Sequence, residues 1–174
     1  MPSSVDIIGR SFFGALAMKS PRGFEPDIRV AASITDYLYL RQLRNRVRDQ
    51  MTNSTAKVGY LKQLRFYLGK PGNFSVYIAW IGDHRAGYLL LRHEATSCFI
   101  TAVVDERFRR KGIAAQMIRF AQNCASNLTA EILLTNTASI KLHETMGFRY
   151  FGNNGRVATY ICHSSKKSEN GSPN

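Results

Sequence analysis

Acidic residues are scarce in this sequence, and so are cysteines. The 174 residues include 12 aspartates and glutamates against 24 lysines and arginines, which gives a formal net charge of +12. The three cysteines are an odd number without metal-ligand spacing, and the four histidines are too scattered to suggest zinc. This pattern argues against a disulfide framework and a metal centre, and it favours a reducing, cytoplasmic compartment.

Long apolar runs are missing as well. The nearest candidate, residues 12–18, is much shorter than the roughly 20 residues that a membrane-spanning helix needs. It follows Arg10 but has no clear small-residue cleavage site, so secretion is not predicted either. With a hydrophobic content of 44%, the chain is predicted to form one globular domain with no membrane partner.

The basic residues are unevenly distributed. Between Arg41 and Lys70 there are eight lysines and arginines and one acid, Asp49, so this stretch carries +7 of the net charge. Such charge indicates partners rather than a fold. A nucleic-acid-binding module would also need exposed aromatic side chains among the cations. The helical periodicity assigns Tyr60 to the core, so nucleic acid is the less favoured partner.

Helical and strand patterns alternate through the middle of the chain. Apolar residues at three- and four-residue spacing indicate helices, and aromatic or β-branched runs between turns indicate strands. The predicted helices cover residues 35–51, 55–68, 112–125 and 138–146. The predicted strands cover residues 27–32, 74–81, 86–93, 98–104, 131–135, 149–151 and 157–162. The order βααβββαβαββ predicts an α/β fold with a mixed sheet and helices on both faces.

The first two helices have an assignable apolar face. In the first, the residues predicted to face the core are Tyr37, Leu40, Leu43, Val47 and Met51. In the second, the predicted buried stripe consists of Tyr60, Leu61, Leu64 and Leu68.

The chain ends show no such periodicity. Residues 1–26 are predicted to be an N-terminal extension with one short helix near residues 7–18. Residues 27–163 are predicted to form the domain. The polar residues 164–174 are predicted to be a disordered tail.

Residues 103–114 combine an apolar strand, a basic turn and a helix start. Their sequence is Val-Val-Asp-Glu-Arg-Phe-Arg-Arg-Lys-Gly-Ile-Ala. A helix N-terminus presents unpaired N–H groups and a partial positive charge, and Gly112 allows the backbone to approach a ligand closely. Arg109, Arg110 and Lys111 add full charges, so this turn suits a pyrophosphate group.

Two motifs together carry a family resemblance. The pattern Arg109-x-x-Gly112-x-Ala114 resembles the acetyl-CoA pyrophosphate loop of the GNAT family, the Gcn5-related N-acetyltransferases. A later segment is similar to the family's short helix after the fifth strand, and it reads Asn136-x-x-Ser139-x-x-Leu142-His143-Glu144-x-x-Gly147-Phe148. The order of elements resembles the same fold. The resemblance implies an N-acetyltransferase that uses acetyl-CoA as co-substrate and needs no metal.

The resemblance also implies roles for individual residues. The backbone of Ala102, Val103 and Val104 would pair with the pantetheine arm, and one of their N–H groups would polarise the thioester carbonyl. The pyrophosphate would contact Arg109, Arg110, Lys111, Gly112, Ile113 and Ala114. Asn136 would bond the pantetheine or position its helix, with Ser139 one turn further on. The acceptor amine would attack the acetyl group directly in a ternary complex.

Three positions depart from the family pattern. His143 stands where a tyrosine commonly protonates the departing thiolate, and an imidazolium can donate a proton near neutral pH. Phe99 occupies the region where many relatives carry an acid that relays the proton of the amine. Glu94 and the neighbouring His93 are the candidate bases in its place. Arg110 stands where glycine is frequent, although the loop backbone can still donate.

In the resembled family, the first two helices border the cleft that binds the acceptor. In this chain those helices overlap the basic stretch between Arg41 and Lys70. Arg44 and Arg48, one helical turn apart, are the predicted clamp for a carboxylate or phosphate. This favours a small, anionic amine such as an amino sugar or an amino-acid-like molecule, with a protein or antibiotic amine as the second choice. The enzyme is expected to be a monomer or a homodimer. Two alternatives stay open: a degenerate transferase that binds acyl-CoA as a sensor or scaffold, and a basic nucleic-acid-binding module.

Overall fold

The computed structural model describes residues 25–69 and 71–163. The predicted helix near residues 7–18 and the predicted tail at 164–174 lie outside these residues. The strands are β1 Asp27–Val30, β2 Phe74–Ile81, β3 His84–His93, β4 Cys98–Val104, β5 Asn127–Leu133, β6 Arg149–Asn153 and β7 Val157–His163. The helices are α1 Ile34–Arg46, α2 Tyr60–Gly69, α3 Ile113–Cys124 and α4 Thr137–Thr145, with short 3₁₀ turns at Arg48–Gln50 and Glu106–Phe108. The predicted order of elements is confirmed.

The described helices are short. The longest of them, α1, has 13 residues. None of the described helices has the length and apolar composition needed to cross a membrane.

All seven strands form one sheet in the order β1-β2-β3-β4-β5-β7-β6. Neighbouring strands are antiparallel except β4 and β5, which run parallel. The parallel pairing is limited to Cys98 with Leu128 and Phe99 with Thr129. Beyond these two pairs the strands are no longer bonded to each other, so the sheet is open between the C-terminal halves of β4 and β5.

Two apolar clusters cover the two faces of the sheet. On one face, called the α3 face, Ile113 and Met117 of α3 are buried in the same cluster as Ile100 of β4. On the other, called the α1 face, Leu43 of α1 is buried with Val103 of β4. Because side chains alternate along a strand, β4 contributes to both clusters.

Helix α1 begins with a capping box. Ser33 Oγ accepts a hydrogen bond from the Asp36 N–H (3.2 Å), and Asp36 Oδ2 accepts one from the Ser33 N–H (3.1 Å). The two bonds satisfy donors that the first helical turn leaves unpaired. The predicted apolar face is confirmed for its first four positions, which are all buried: Tyr37, Leu40, Leu43 and Val47.

The predicted buried face of α2 is wrong. The stripe that was expected to face the core is exposed, at 66%, 73%, 40% and 70% for Tyr60, Leu61, Leu64 and Leu68. The helix instead turns Phe66 and Tyr67 inward, where their rings pack edge-on against Phe74 and Tyr37 with centroid distances of 5.4 and 5.1 Å. The aromatic pairs decide the rotation of α2, since large rings bury more area than single leucines.

Candidate functional site

A cavity of about 530 Å³ lies where β4 and β5 part. Its walls come from α1 and the segment that follows it, from β3, β4 and β5, and from the starts of α3 and α4. The predicted site residues that line it are Arg44, Ala102, Val103, Val104, Arg109, Ala114, Asn136, Ser139 and His143. The predicted site residues that do not line it are Arg48, Glu94, Arg110, Lys111, Gly112 and Ile113.

The backbone of β4 offers open hydrogen-bonding groups to this cavity. On an antiparallel ladder, the N–H and C=O groups of successive residues point alternately to opposite sides. The Asp105 N–H donates to the Ala86 carbonyl oxygen (2.9 Å), so Asp105 and Val103 point toward β3. Ala102 and Val104 have the opposite alternation and point toward β5, with which they are unpaired. The backbone role expected of Val103 is therefore corrected. The N–H and C=O groups of Ala102 and the N–H of Val104 are left to bind a ligand, whereas the Val104 carbonyl oxygen accepts a hydrogen bond from Arg109 Nε (3.5 Å).

Residues 105–112 connect β4 to α3 and form the basic loop. Gly112 is the N-cap of α3, with a left-handed φ of +78°. The first intrahelical bond runs from the Gln116 N–H to the Gly112 carbonyl oxygen (3.1 Å). The N–H groups of Ile113, Ala114 and Ala115 therefore have no partner within the helix. Together with the helix dipole and the loop cations, they suit this end of the cavity to a phosphate-bearing ligand.

Arg110 is the one residue other than glycine with a positive φ in the described part of the chain, at +61°. Because a Cβ is disfavoured in this conformation, Arg110→Gly should raise the free energy of unfolding by about 0.5–1 kcal/mol, seen as a higher Tm in thermal unfolding. Arg109→Gly is the matched control, because Arg109 has a negative φ of −63° that any residue adopts, so its replacement by glycine should lower the stability of the protein. Equal Tm changes in the two variants would contradict the strain at Arg110.

Helix α4 brings two predicted ligand-binding residues to the opposite wall. Asn136 is its N-cap, and Asn136 Oδ1 accepts a hydrogen bond from the Ser139 N–H (3.2 Å). The Asn136 N–H itself donates to the Leu133 carbonyl oxygen (2.8 Å) at the end of β5. Asn136 thus fixes the start of α4 against β5, and within the described residues its Nδ2 has no partner.

His143 is a buried titratable side chain of the same wall, with 7% of its surface exposed. Its ring packs edge-on against Phe148, with a centroid distance of 5.0 Å. Nδ1 lies 2.8 Å from the Ser139 carbonyl oxygen, and because a carbonyl only accepts, Nδ1 carries a proton. Burial lowers the pKa of His143 below its ordinary value of 6.5, against the opposing effect of this hydrogen bond. The imidazole is therefore neutral near pH 7.

The other ring nitrogen of His143 has no hydrogen-bond partner within the described residues. Among the described residues, Nε2 of Gln63 is the only fully buried side-chain nitrogen or oxygen without a partner. Nε2 of His143 has no partner there either and is not fully buried, and His143 lines the cavity. The expectation of a resting imidazolium donor is corrected, because a neutral ring protonated at Nδ1 accepts a proton at Nε2 before it can donate one.

Glu94 and His93 lie away from the cavity. They stand at the end of β3 that pairs with Cys98, at the start of β4. Glu94 Oε1 forms an ion pair with Arg92 Nη2 (3.2 Å), and His93 Nε2 contacts Ser75 Oγ (3.0 Å). The structure does not bring Glu94 to the site as the expected base, because that end of β3 is where β4 and β5 are still paired.

The predicted acceptor clamp is not formed. Arg44 donates hydrogen bonds to the carbonyl oxygens of Ser54 and Ala56, both at 3.0 Å. Arg48 forms an ion pair with Asp49 (3.6 Å) and does not line the cavity. Arg44 therefore holds the segment between α1 and α2 in place. Both of its terminal nitrogens are engaged in these hydrogen bonds, so Arg44 contributes its charge to the cavity wall.

Asp105 stabilises the site, although the sequence motifs do not identify it as a functional residue. Its side chain is fully buried, and Oδ1 accepts a hydrogen bond from the Arg107 backbone N–H (3.1 Å). The Arg107 guanidinium donates to both carboxylate oxygens at 3.1 Å, and Arg46 donates to Oδ2 at 3.3 Å. The hydrogen bonds from Arg107 hold the pKa of Asp105 below its ordinary value despite burial. Asp105 thus ties the basic loop to α1, and its sequence signal is an acid placed directly after an apolar strand.

Thiol and metal chemistry have no evident site among the described residues. None of the three cysteines forms a disulfide, and burial raises the pKa of the Cys98 thiol, which keeps it protonated. No group of three or more histidine, cysteine, aspartate or glutamate side chains in that part of the chain is placed to hold a metal ion. The cavity offers backbone donors, cations and a neutral imidazole instead.

A family profile matches most of this region. The profile of the acetyltransferase (GNAT) family matches residues 40–148, which include β4, the basic loop, α3 and α4. A search of curated protein sequences gives no significant match.

Several solved structures share this architecture, and the match extends over nearly the full length of each of them. An N-acetyltransferase from Staphylococcus aureus Mu50 matches with a TM-score of 0.70 and 19% identity, over 81% of this chain and 99% of that one. The protein yncA of Salmonella typhimurium, solved with its cofactor acetyl-CoA, matches with a TM-score of 0.67 and 15% identity, over 86% and 98%. The spermidine N-acetyltransferase of Vibrio cholerae, in complex with CoA and spermine, matches with a TM-score of 0.71 and 14% identity, over 81% and 96%. At these identities the likeness establishes the fold.

Proposed function

Because this chain belongs to the acetyltransferase (GNAT) family, we propose that it transfers the acetyl group of acetyl-CoA to the primary amine of a small acceptor. One observation carries the proposal: the unpaired C-terminal half of β4 borders a cavity that ends at the basic loop. An elongated ligand with phosphates at one end and an amide-containing arm at the other fits this combination of backbone donors and cations.

The residues that would hold acetyl-CoA lie in sequence along the cavity. The unpaired N–H groups at the start of α3, where Ala114 lines the cavity, would bind its phosphates together with the Arg109 guanidinium. The N–H and C=O groups of Ala102 and the N–H of Val104 would bind its amide-containing arm. When bound, acetyl-CoA supplies the thioester, and an N–H of β4 polarises the thioester carbonyl.

The acceptor nitrogen attacks the acetyl carbon directly, as the carbon–sulfur bond breaks. His143 takes the proton that the nitrogen must lose, because its Nε2 is an open acceptor on a neutral ring. The resulting imidazolium then returns that proton to the departing sulfur. One side chain therefore serves as base and then acid, and no proton is gained or lost over the cycle.

The charge of the cavity wall supports an acceptor that is not a polycation. Arg44 and Arg109 line the cavity, whereas Glu131 is the single acidic side chain among the described residues of its lining. A polyamine would gain little from such a wall and would be repelled by a protein of net charge +12. An amine that also carries a carboxylate or phosphate, such as an amino sugar phosphate or an amino acid, suits it better.

Binding and turnover can be tested in turn. Acetyl-CoA binding is measured by calorimetry, and CoA release is then followed over a panel of amino sugar phosphates, amino acids, dipeptides and spermidine. Acetylation of an anionic amine in preference to spermidine would support the proposal. Binding without turnover of any amine would favour a sensor or scaffold, and no binding would refute the proposed cofactor site.

Arg109→Gln should weaken acetyl-CoA binding about tenfold, because a charge-assisted hydrogen bond to a phosphate is worth about 1.4 kcal/mol. The loss should shrink as salt is raised, since salt screens exposed charges. Arg65→Gln is the matched control, because it makes the same charge change at an exposed position of α2 outside the cavity lining. Equal weakening in both variants would mean that net charge alone, rather than contact by Arg109, attracts the ligand.

A further inference from the structure

Tyr88 has a buried ring and an unpaired hydroxyl at the cavity wall. The residue lies in β3 directly opposite Val103 of β4, and 2% of its surface is exposed. Within the described residues its hydroxyl has no hydrogen-bond partner, although it is not among the fully buried unpartnered atoms. Tyr88 lines the cavity and its hydroxyl is not fully buried, so the cavity is the open space next to this side chain.

The Tyr88 side chain lies on the α1 face of the sheet. Tyr88 and Val103 belong to the apolar cluster of the α1 face, whereas Ala102 and Val104 pack on the cluster of the α3 face. The α1 face of the cavity is completed by the segment after α1, including Gln50 to Ser54. A molecule that reaches the open half of β4 from this face would contact the Tyr88 side chain at the cavity wall.

Several other polar side chains of the cavity are already engaged. Arg44 donates to two carbonyl oxygens, Asn136 Oδ1 accepts from the Ser139 N–H, and Nδ1 of His143 donates to the Ser139 carbonyl. Burial raises the pKa of Tyr88 well above its ordinary value, and the nearby Arg44 opposes this only in part. The hydroxyl therefore stays protonated, and it can both donate and accept a hydrogen bond.

We propose that Tyr88 is the acceptor-binding residue of this enzyme, and that its hydroxyl oxygen accepts a hydrogen bond from the amine of the acceptor. The inference rests on the proposed function and adds a specificity-determining residue to it. One N–H of the amine is held by Tyr88, and the lone pair of the nitrogen is left to face the thioester. The proton that the amine loses goes to Nε2 of His143, so Tyr88 keeps its own proton throughout.

The test is Tyr88→Phe, with Tyr39→Phe as the matched control. The Tyr39 hydroxyl donates to the Arg85 carbonyl oxygen (3.0 Å), and Tyr39 does not line the cavity. Tyr88→Phe removes a hydroxyl without a protein partner, so its Tm should be unchanged or slightly higher. Its kcat/KM for the acceptor should fall roughly 10- to 100-fold, and its acetyl-CoA affinity should stay within about twofold. Tyr39→Phe should show the reverse pattern, with a Tm lower by about 2–4 °C and an unchanged kcat/KM.

A second readout separates acceptor binding from turnover. Calorimetry of the preferred amine with the CoA-saturated protein should show weaker binding for Tyr88→Phe than for wild type and Tyr39→Phe. If Tyr88→Phe keeps wild-type acceptor binding and kcat/KM, the role of Tyr88 is refuted and the proposed function stands. If wild type acetylates none of the amines in the panel, the proposed function fails, and the role of Tyr88 fails with it.

Discussion

Replacing Asp105 by alanine is expected to lower the free energy of unfolding by about 2–4 kcal/mol. The carboxylate is fully buried and accepts hydrogen bonds from the Arg107 backbone and from two guanidinium groups. Breaking a buried ion pair costs about 3–5 kcal/mol when the remaining charge stays buried. The side chains of Arg46 and Arg107 are 47% and 66% exposed, so water solvates the remaining charges and moderates the loss. For a domain of this size, Tm should fall by about 4–16 °C.

Asp49→Ala is the control for removal of an acid. The Asp49 side chain is 84% exposed and pairs with Arg48 at 3.6 Å, so its loss should change stability by less than about 0.5 kcal/mol. Similar Tm values for the two alanine variants would show that Asp105 does not tie the basic loop to α1. Acetyl-CoA affinity, measured at a temperature where both variants are folded, should fall only for Asp105→Ala.

The pH dependence of the Asp105 effect has a defined sign. The folded pKa lies below the ordinary value of 3.8, so the ionised carboxylate stabilises the fold above that value. The stabilisation is lost as pH falls from 3.8 toward the folded pKa. The Tm difference between wild type and Asp105→Ala should therefore be full at pH 7 and narrow in acid below about pH 4.

The sequence predicts the strands around the site well because their patterns are local. The bounds predicted for β2 and β4, residues 74–81 and 98–104, are those observed. Both strands are rich in β-branched or aromatic residues and are bounded by turns, so neighbours within a few positions specify them. The basic loop is recognisable for the same reason, since its charge and its glycine are consecutive in the chain.

The rotation of α2 could not be predicted from its own sequence. The helix carries two apolar faces, one formed by Leu61, Leu64 and Leu68 and one by Phe66 and Tyr67, and periodicity alone favours the leucines. The partners that decide between the faces lie on other elements, in α1 and β2. Tertiary packing therefore overrides a pattern that is locally the stronger one.

The opening between β4 and β5 is another feature that no local pattern encodes. It depends on where the pairing between β4 and β5 ends, after Phe99 and Thr129, which are 30 positions apart in the chain. The same holds for the engagement of Arg44, whose carbonyl partner in Ala56 lies in the loop after α1. The proton on Nδ1 of His143 depends on a local contact within α4, because the Ser139 carbonyl is one helical turn away. The residue types at the site could be predicted from the sequence. Which of their atoms have no protein partner and can bind a ligand could not.

His143→Gln is expected to lower kcat by about 10²–10³-fold, because glutamine cannot take up and return a proton. The variant should keep acetyl-CoA affinity within about twofold, since the ring contacts Ser139 and Phe148 rather than the basic loop. Steady-state kinetics with the preferred amine give kcat, and calorimetry gives the affinity. Unchanged kcat in a folded His143→Gln protein would remove His143 from the mechanism.

The pH–rate profile distinguishes a resting base from a resting acid. If neutral His143 accepts the proton of the amine, kcat of wild type should fall only below the lowered pKa, on the acid side of 6.5. A resting imidazolium donor would instead lose activity as pH rises through that same pKa. The acid limb should be absent in His143→Gln, whose residual rate has no imidazole to protonate. His143→Tyr, which introduces the group common in the resembled family, should recover part of kcat without the acid limb, because a phenol stays protonated across this range and serves as an acid alone.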